Sequence, residues 1–177
     1  MGLLELFGLK STPAPAESKS TSETVRRITE QLDQMEPARA KYIAAFAYLL
    51  GRVAHADLSI SEQETREMER IVQNIAGLPE EQAILVVQIA KAQHALFGST
   101  ENFVVTEEFA RLATRAQKLS LLNCLFAVSS SDRSISTIED NEIRKISREL
   151  RLDHSDFIAA RSAYKEHLEV LKKRPER

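Results

Sequence analysis

Two stretches of this 177-residue chain repeat one another without a gap, and this repeat constrains the fold more than any other feature. Residues 57–71 (DLSISEQETREMERI) align with residues 132–146 (DRSISTIEDNEIRKI) at a constant offset of 75 residues, with seven of fifteen positions identical. The identical pairs are Asp57 and Asp132, Ser59 and Ser134, Ile60 and Ile135, Ser61 and Ser136, Glu64 and Glu139, Glu67 and Glu142, and Ile71 and Ile146. The same offset pairs Leu50 with Leu125 and Val53 with Val128 in the preceding segment. We therefore expect two copies of a helix, a short loop and a second helix, arranged with internal pseudo-symmetry.

Apolar residues recur at spacings of three and four from Glu23 onward, which is the period of a helix with one buried side. A chain of 177 residues is long enough for one sizeable core but short for two. The sequence therefore predicts an all-α fold, a single bundle of about seven to eight helices. The predicted helices are residues 23–35, 37–53, 61–76, 79–96, 106–117, 119–131, 136–150 and 155–172, with Gly77 and Gly98 ending two of them.

A change in composition near the N-terminus predicts three parts of the chain. Residues 10–22 (KSTPAPAESKSTS) are rich in Pro, Ser and Thr, and such a stretch is typical of a flexible linker. It separates a short apolar segment, residues 1–9, from a helical domain at residues 23–172. The apolar segment contains Leu3, Leu4, Leu6, Phe7 and Leu9. We expect it to dock on a protein partner, with its own bundle or a membrane surface as the alternatives.

Charge and hydropathy exclude several classes of partner. The 24 Lys and Arg residues against 26 Asp and Glu give a net charge of −2, which does not favour nucleic-acid binding. The longest uncharged stretches, residues 42–51 and 119–131, fall short of the roughly 18 apolar residues that a transmembrane helix requires. The lone Cys124 lies in an apolar run and is predicted to be a small buried side chain. With no export signal at the N-terminus, we expect a cytoplasmic protein.

The repeated motif contains a helix-start signal in each copy. Ser61 is followed three residues later by Glu64, and Ser136 is followed by Glu139, so each pair predicts a capping box. Capping does not explain four further acids at repeated positions, which are Asp57, Asp132, Glu67 and Glu142. Because hard divalent cations take oxygen ligands, these four acids and the two capping glutamates are candidate ligands for calcium or magnesium. The alternative is that each aspartate closes its loop by accepting from nearby backbone amides.

Recognised catalytic and metal motifs do not fit this sequence. Neither loop is an EF-hand, because Glu62 and Met68 stand where the first copy would need Gly and the closing Glu. The chain has no H-E-x-x-H or E-x-x-H motif and no Gly-rich phosphate loop. With no placed pair of nucleophile and base either, the sequence favours a non-enzyme. A metal-dependent enzyme that uses the same carboxylates remains the alternative.

Three stretches resemble the TerB-like family, which includes tellurite-resistance TerB proteins and the N-terminal domain of the membrane-anchored co-chaperone DjlA. They are A-x-A-D-L-S-I-S-E-x-E at residues 54–64, S-S-D-R-S-I-S-x-x-E with I-R-K-I-S-R-E-L at residues 130–150, and L-D-H-S-D-F-I-A-A-R at residues 152–161. The last is similar to the closing helix of a small uncharacterised bacterial subgroup, and the whole resemblance covers about residues 25–164. Family members typically have Asp-Gly in the loops, whereas Leu58 and Arg133 follow the aspartates here. The missing Gly removes easy access to a positive φ angle.

The resemblance implies an all-helical bundle with two acidic loops, associated with envelope and stress responses. It implies a cation-binding or interaction module without established catalysis. We therefore expect a non-enzymatic interaction module in the cytoplasm or peripheral at the inner membrane, with a protein partner that can be membrane-associated. The alternatives are the metal-dependent enzyme and a purely structural partner of a membrane complex.

Overall fold

The structure is a computed structural model that describes residues 5–8, 19–54, 60–93, 96 and 102–172. Within these residues the chain forms eight α-helices and no β-strand, which confirms the predicted all-α bundle of seven to eight helices. The helices are α1 (Lys19–Asp33), α2 (Pro37–Ala54), α3 (Glu62–Ala76), α4 (Glu80–Lys91), α5 (Asn102–Leu112), α6 (Arg115–Ser129), α7 (Thr137–Glu149) and α8 (His154–Ser162). Short 3-10 turns occur at Glu5–Phe7, Lys165–His167 and Glu169–Leu171.

Helix α2 forms the centre of the bundle, as its apolar sequence predicts. Every residue from Tyr42 to Gly51 is buried, so the helix has no solvent-facing side over this length. Helices α1, α4, α5, α6 and α7 all pack against it. Gly51 allows the close approach of α4, because a Cβ atom there would lie 3.3 Å from the Ala90 carbonyl oxygen and 2.0 Å from the side-chain oxygen of Gln93, just beyond the helix.

The helices of the two repeated units pack crosswise. Helices α2 and α6 come before the two loops, and α3 and α7 follow them. Helix α2 of the first unit contacts α7 of the second, and α6 of the second unit contacts α3 of the first. Helices α2 and α6 also contact each other. The second helix of each unit therefore lies against the first helix of the other unit, and the two first helices lie side by side.

Several helix boundaries differ from the predicted ones for identifiable reasons. The break predicted at Lys118 lies at Ala113 instead, because Thr114 and Gln117 form a capping box that starts α6. Helix α1 begins at Lys19, four residues before the predicted start, and α4 ends at Lys91 rather than at residue 96. Gly77 ends α3 with a φ angle of 66°, as predicted. Gly98 and residues 10–18 of the predicted linker lie outside the described residues, and the last four residues of that linker, 19–22, belong to α1 instead.

The predicted closing helix at residues 155–172 is wrong in its second half. Helix α8 ends at Ser162, and the chain continues as two 3-10 turns. Leu168 lies between these turns and is completely buried, and its backbone forms an isolated parallel bridge with Ile135. A continuous helix would consume the backbone groups that this bridge uses, so the long-range contact overrides the local helical pattern.

Residues 5–8 of the N-terminal segment lie on the bundle. Glu5–Phe7 forms a single 3-10 turn against α2 and α5, and the side chains of Leu6 and Phe7 are half-buried against the core. Gly8 follows with a φ angle of 70° and donates its N–H to the Glu5 carbonyl at 3.0 Å, which closes the turn. For residues 5–8 this matches the alternative in which the segment folds back onto its own bundle, while docking on a protein partner stays a prediction.

Candidate functional site in the two repeated units

The two predicted capping boxes have the same geometry. Ser61 Oγ accepts from the Glu64 N–H at 3.2 Å, and the Ser61 N–H donates to the Glu64 carboxylate at 2.7 Å. The corresponding distances for Ser136 and Glu139 are 3.2 Å and 2.8 Å. The hydrogen bonds from Ser61 hold the pKa of the Glu64 carboxyl below its ordinary value. Both glutamates therefore serve as helix caps, whatever else they bind.

Glu142, one of the candidate ligands, forms an ion pair with a buried arginine. The Arg52 side chain is 3% exposed, and its guanidinium donates to Glu142 Oε1 from Nε at 2.8 Å. The same guanidinium donates to Glu149 Oε2 at 2.7 Å and to Thr106 Oγ1 at 3.1 Å. Arg52 thus joins the last turn of α2 to α5 and α7.

This network is electrostatically self-consistent. Burial alone would lower the pKa of Arg52, but the hydrogen bonds and charges of Glu149 and Glu142 outweigh burial, and the pKa is raised. A buried guanidinium is tolerated only when its donors are satisfied, and two carboxylates and a hydroxyl meet that need. Glu142 therefore has a structural role that does not require a cation.

Glu67, the counterpart of Glu142, has a different environment. Its side chain is 42% exposed and pairs with Arg70 one turn later on the same helix. The position equivalent to Arg52 in the second unit is Ala127, so the second unit supplies no buried guanidinium to pair with Glu67. Glu67 instead lines an open groove of about 750 Å³ between α3 and α4, together with Glu62, Arg66, Arg70 and Glu80.

Asp132 closes the second loop through the backbone. Its Oδ1 atom accepts from the Ser134 N–H at 3.0 Å, which is the turn-closing alternative considered from sequence. The following residue, Arg133, has a φ angle of 66°, in the left-handed region. The loop therefore adopts a positive φ without a glycine, at a cost of about 1 kcal/mol in backbone strain.

A C-terminal strap, which we define as residues 165–172, covers the second loop. The Ile135 N–H donates to the His167 carbonyl at 2.7 Å, and the Glu169 N–H donates to the Ile135 carbonyl at 3.0 Å. Side chains add two further contacts: Ser134 Oγ donates to the Glu169 carboxylate at 3.0 Å, and Lys172 Nζ donates to the Arg133 carbonyl at 3.2 Å. The second loop is thus fixed by four hydrogen bonds to the strap.

The predicted ligands do not form a compact metal site within the described residues. No group of three or more His, Cys, Asp or Glu side chains in that part of the chain has an arrangement that could hold a metal ion. Asp57, at the centre of the first predicted site, lies outside the described residues together with the rest of residues 55–59. Calcium or magnesium binding by Asp57, Glu64, Glu67, Asp132, Glu139 and Glu142 therefore stays a prediction.

Cys124 is fully buried in α6, as its apolar sequence context predicts. Burial raises the pKa of its thiol to about 12. The thiolate is the reactive form of cysteine, so this side chain is unsuited to act as a nucleophile at neutral pH.

One further buried ion pair was not predicted from the sequence. Arg161 in α8 donates to both carboxylate oxygens of Asp140 at 2.8 Å, and Asp140 is almost completely buried in α7. The hydrogen bonds that Arg161 donates to Asp140, together with the charge of that carboxylate, raise the pKa of Arg161 despite partial burial. Arg161, like Arg52, is a single charged residue among apolar neighbours. This isolation is the only feature of the sequence that indicates a buried ion-pair partner.

The comparisons with known proteins place this arrangement in a family. A family model described as tellurite resistance protein TerB matches residues 42–162, which is more than half of the chain. The chain belongs to the TerB family. The TerB match runs from α2 to the end of α8, so both repeated units lie within it, whereas the N-terminal turn and the strap lie outside it. No curated protein and no solved structure matches the chain.

Within the described residues, no helix is both long enough and apolar enough to cross a bilayer.

Proposed function

We propose that this member of the TerB family is a non-enzymatic interaction module that binds a protein partner at the end of the bundle where the strap meets the second loop. The observation that carries the proposal is a set of exposed apolar side chains there, which we call the end patch: Ile138, Val170 and Leu171. Ile138 is 81% exposed, and Val170 and Leu171 are 57% and 56% exposed.

The residues of the end patch lie close in sequence to the buried backbone bridge between Ile135 and Leu168. Ile138 lies in the first turn of α7, three residues after Ile135, and Val170 lies two residues after Leu168. Because Ile135 and Leu168 are bridged and buried, the exposed side chains near them are held by ordered backbone. Exposed apolar clusters on ordered surfaces are typical of protein-protein interfaces.

The family supports the cellular setting that we propose. The description of the family as tellurite resistance supports a role in a bacterial stress or envelope response. We place the protein in the cytoplasm or peripheral at the inner membrane, with a partner that can itself be membrane-associated. A purely structural contact with such a partner would use the same end patch.

A site-specific cross-linking experiment tests the interaction. A photo-reactive amino acid placed at Ile138 should cross-link to one defined protein in cells, and the change Val170→Asp should abolish that product. The matched control is the same amino acid at Phe103, which is 65% exposed on α5. Equal products from both positions, or a product that survives Val170→Asp, would contradict the end patch as the interface.

The proposal keeps the divalent cation as a second ligand of the module. If calcium or magnesium binds the folded protein at the acidic loops, it should raise the melting temperature by mass action. The variants Asp57→Asn and Asp132→Asn assign any effect to the first or the second loop. An unchanged melting temperature at millimolar calcium, magnesium and manganese would count against the cation and leave the interaction proposal intact.

A further inference from the structure

The open groove between α3 and α4 is a surface that the proposed function does not use. The end patch belongs to α7 and the strap, whereas this groove is formed by the second helix of the first unit and the helix that follows it. Along α3 its lining runs from Glu62 to Gln73, about three helical turns. From α4 it takes Glu80, the buried Ala83 and the half-buried Ile84. The groove therefore combines an apolar strip on α4 with charged side chains on both helices.

The charges that line this groove do not balance. Four carboxylates stand against two guanidiniums, an excess of two negative charges: Glu62, Glu67, Glu69 and Glu80 against Arg66 and Arg70. Arg70 pairs with Glu67, and Arg66 lies 3.9 Å from Glu62, so both arginines already have a partner. Glu69 and Glu80 have no ion-pair partner among the residues that the structure describes. Two carboxylates of the groove are thus available to a cationic ligand.

The second repeated unit shows which ligand one of these glutamates takes when a donor is present. Glu142, the copy of Glu67, accepts from the buried Arg52 guanidinium at 2.8 Å. Ala127 stands at the position equivalent to Arg52, and in the described part of the chain Glu67 pairs with Arg70, whose side chain is 70% exposed. An exposed pair of this kind contributes little to stability, so a guanidinium from another molecule can replace Arg70 at small cost.

The arrangement of the acids favours arginine side chains over a metal ion. Within the described residues, no three His, Cys, Asp or Glu side chains are placed to hold a metal. A guanidinium, in contrast, pairs with separate carboxylates through a planar set of donors, and its aliphatic stem packs on apolar surface. Ala83 and Ile84 supply such a surface beside the carboxylates. Charge complementarity therefore indicates a peptide segment that carries arginines.

We propose that the groove between α3 and α4 binds a segment of a partner protein that carries two arginine side chains with an aliphatic side chain between them. The guanidiniums pair with Glu69 and Glu80 and compete with Arg70 for Glu67. The aliphatic side chain packs over Ile84. The module then has two separate contacts, an apolar one at the end patch and an electrostatic one at the groove.

The test uses the full-length ¹⁵N-labelled chain and a capped alanine peptide with two arginines one helical turn apart and a leucine between them. The matched probe has citrulline in place of both arginines, which keeps the shape of the side chain and removes its charge. At low ionic strength, where exposed charges are least screened, the arginine peptide should shift the amide signals of α3 and α4. The citrulline peptide should bind at least about tenfold more weakly, because charge-assisted hydrogen bonds are the stronger ones.

Two double variants test the groove itself. Glu69→Gln with Glu80→Gln removes the carboxylates that have no ion-pair partner in the described part of the chain, and it should weaken binding of the arginine peptide about tenfold. Glu81→Gln with Glu166→Gln is the matched control, because it changes the net charge equally at exposed positions outside the groove lining, and it should leave the affinity unchanged. Val170→Ser in the end patch should also leave it unchanged, so the two surfaces are tested separately.

The proposal is overturned if the arginine peptide shifts no signals of α3 and α4, or if it binds no more tightly than the citrulline peptide. This comparison uses the unsubstituted chain, so it decides the matter even where a variant fails to fold. Equal binding of the peptide by the groove variant and the control variant would also overturn it. Equal shifts on addition of magnesium alone would mean that a metal ion, rather than arginine, occupies the groove.

Discussion

The two repeated units start their second helices in the same way but use their acidic residues differently. Ser61 and Ser136 have nearly equal backbone angles, with φ of −67° and −65° and ψ of 164° and 158°. Each is followed by a glutamate that completes the capping box. Because both interactions lie within four consecutive residues, the same local sequence produces the same local structure in both units.

The difference appears one turn further along each helix. Glu142 binds a buried arginine that comes from the other unit, whereas Glu67 pairs with an exposed neighbour on its own helix. The identity of the two glutamates therefore does not imply a shared function. What separates them is a single tertiary contact, since Arg52 in α2 corresponds to Ala127 in α6.

The largest effect expected from this difference is on stability. Arg52→Met removes the buried guanidinium and leaves two carboxylates without their partner, so it should lower the free energy of unfolding by about 3 kcal/mol. Arg70→Met in the first unit is the matched control and should change it by less than about 0.5 kcal/mol, because exposed pairs contribute little. Urea denaturation measures both values. Similar values for the two variants would show that the units do not differ in this way.

The two capping serines should contribute equally to stability, in contrast to the two repeated glutamates. Ser61→Ala and Ser136→Ala each remove one hydrogen-bond acceptor from a helix N-terminus, and each should cost about 1 kcal/mol. Thermal or urea denaturation of the two single variants gives the comparison. If only one variant lowered the free energy of unfolding, the two caps would contribute differently to stability despite their matching geometry.

The smallest effect concerns the strained residue of the second loop. Arg133→Gly should raise the free energy of unfolding by about 0.5 kcal/mol, since relief of the positive φ exceeds the added freedom of glycine in the unfolded chain. Arg133→Ala keeps the strain and serves as the control, with no gain expected. Loss of stability in the glycine variant would mean that the Arg133 side chain holds the loop.

The parts of the fold that were predictable from sequence are the local ones. The capping boxes of α3 and α7 and the glycine stop at Gly77 follow from a few neighbouring residues, and the apolar period identifies α2 as central. Thr114 and Gln117 form the same kind of local signal, a capping box, at the start of α6. This boundary was therefore also predictable from the sequence.

The parts that were not predictable depend on distant residues. Arg52 and Glu142 are 90 positions apart, and their pairing follows from the crosswise packing of α2 and α7. The strap likewise departs from a helical pattern because Leu168 finds a backbone partner in Ile135. Sequence spacing places acids on one face of a helix. Only tertiary packing decides whether an arginine side chain or a bound metal ion neutralises them.

The most direct test of the contrast between the units is a pair of double-mutant cycles. One cycle combines Arg52→Met with Glu142→Gln, and the other combines Arg70→Met with Glu67→Gln, with the free energy of unfolding measured for each variant. We predict a coupling energy of about 2 kcal/mol in the first cycle and less than about 0.5 kcal/mol in the second. Equal coupling energies in the two cycles would contradict the conclusion that one tertiary contact gives the repeated glutamates different roles.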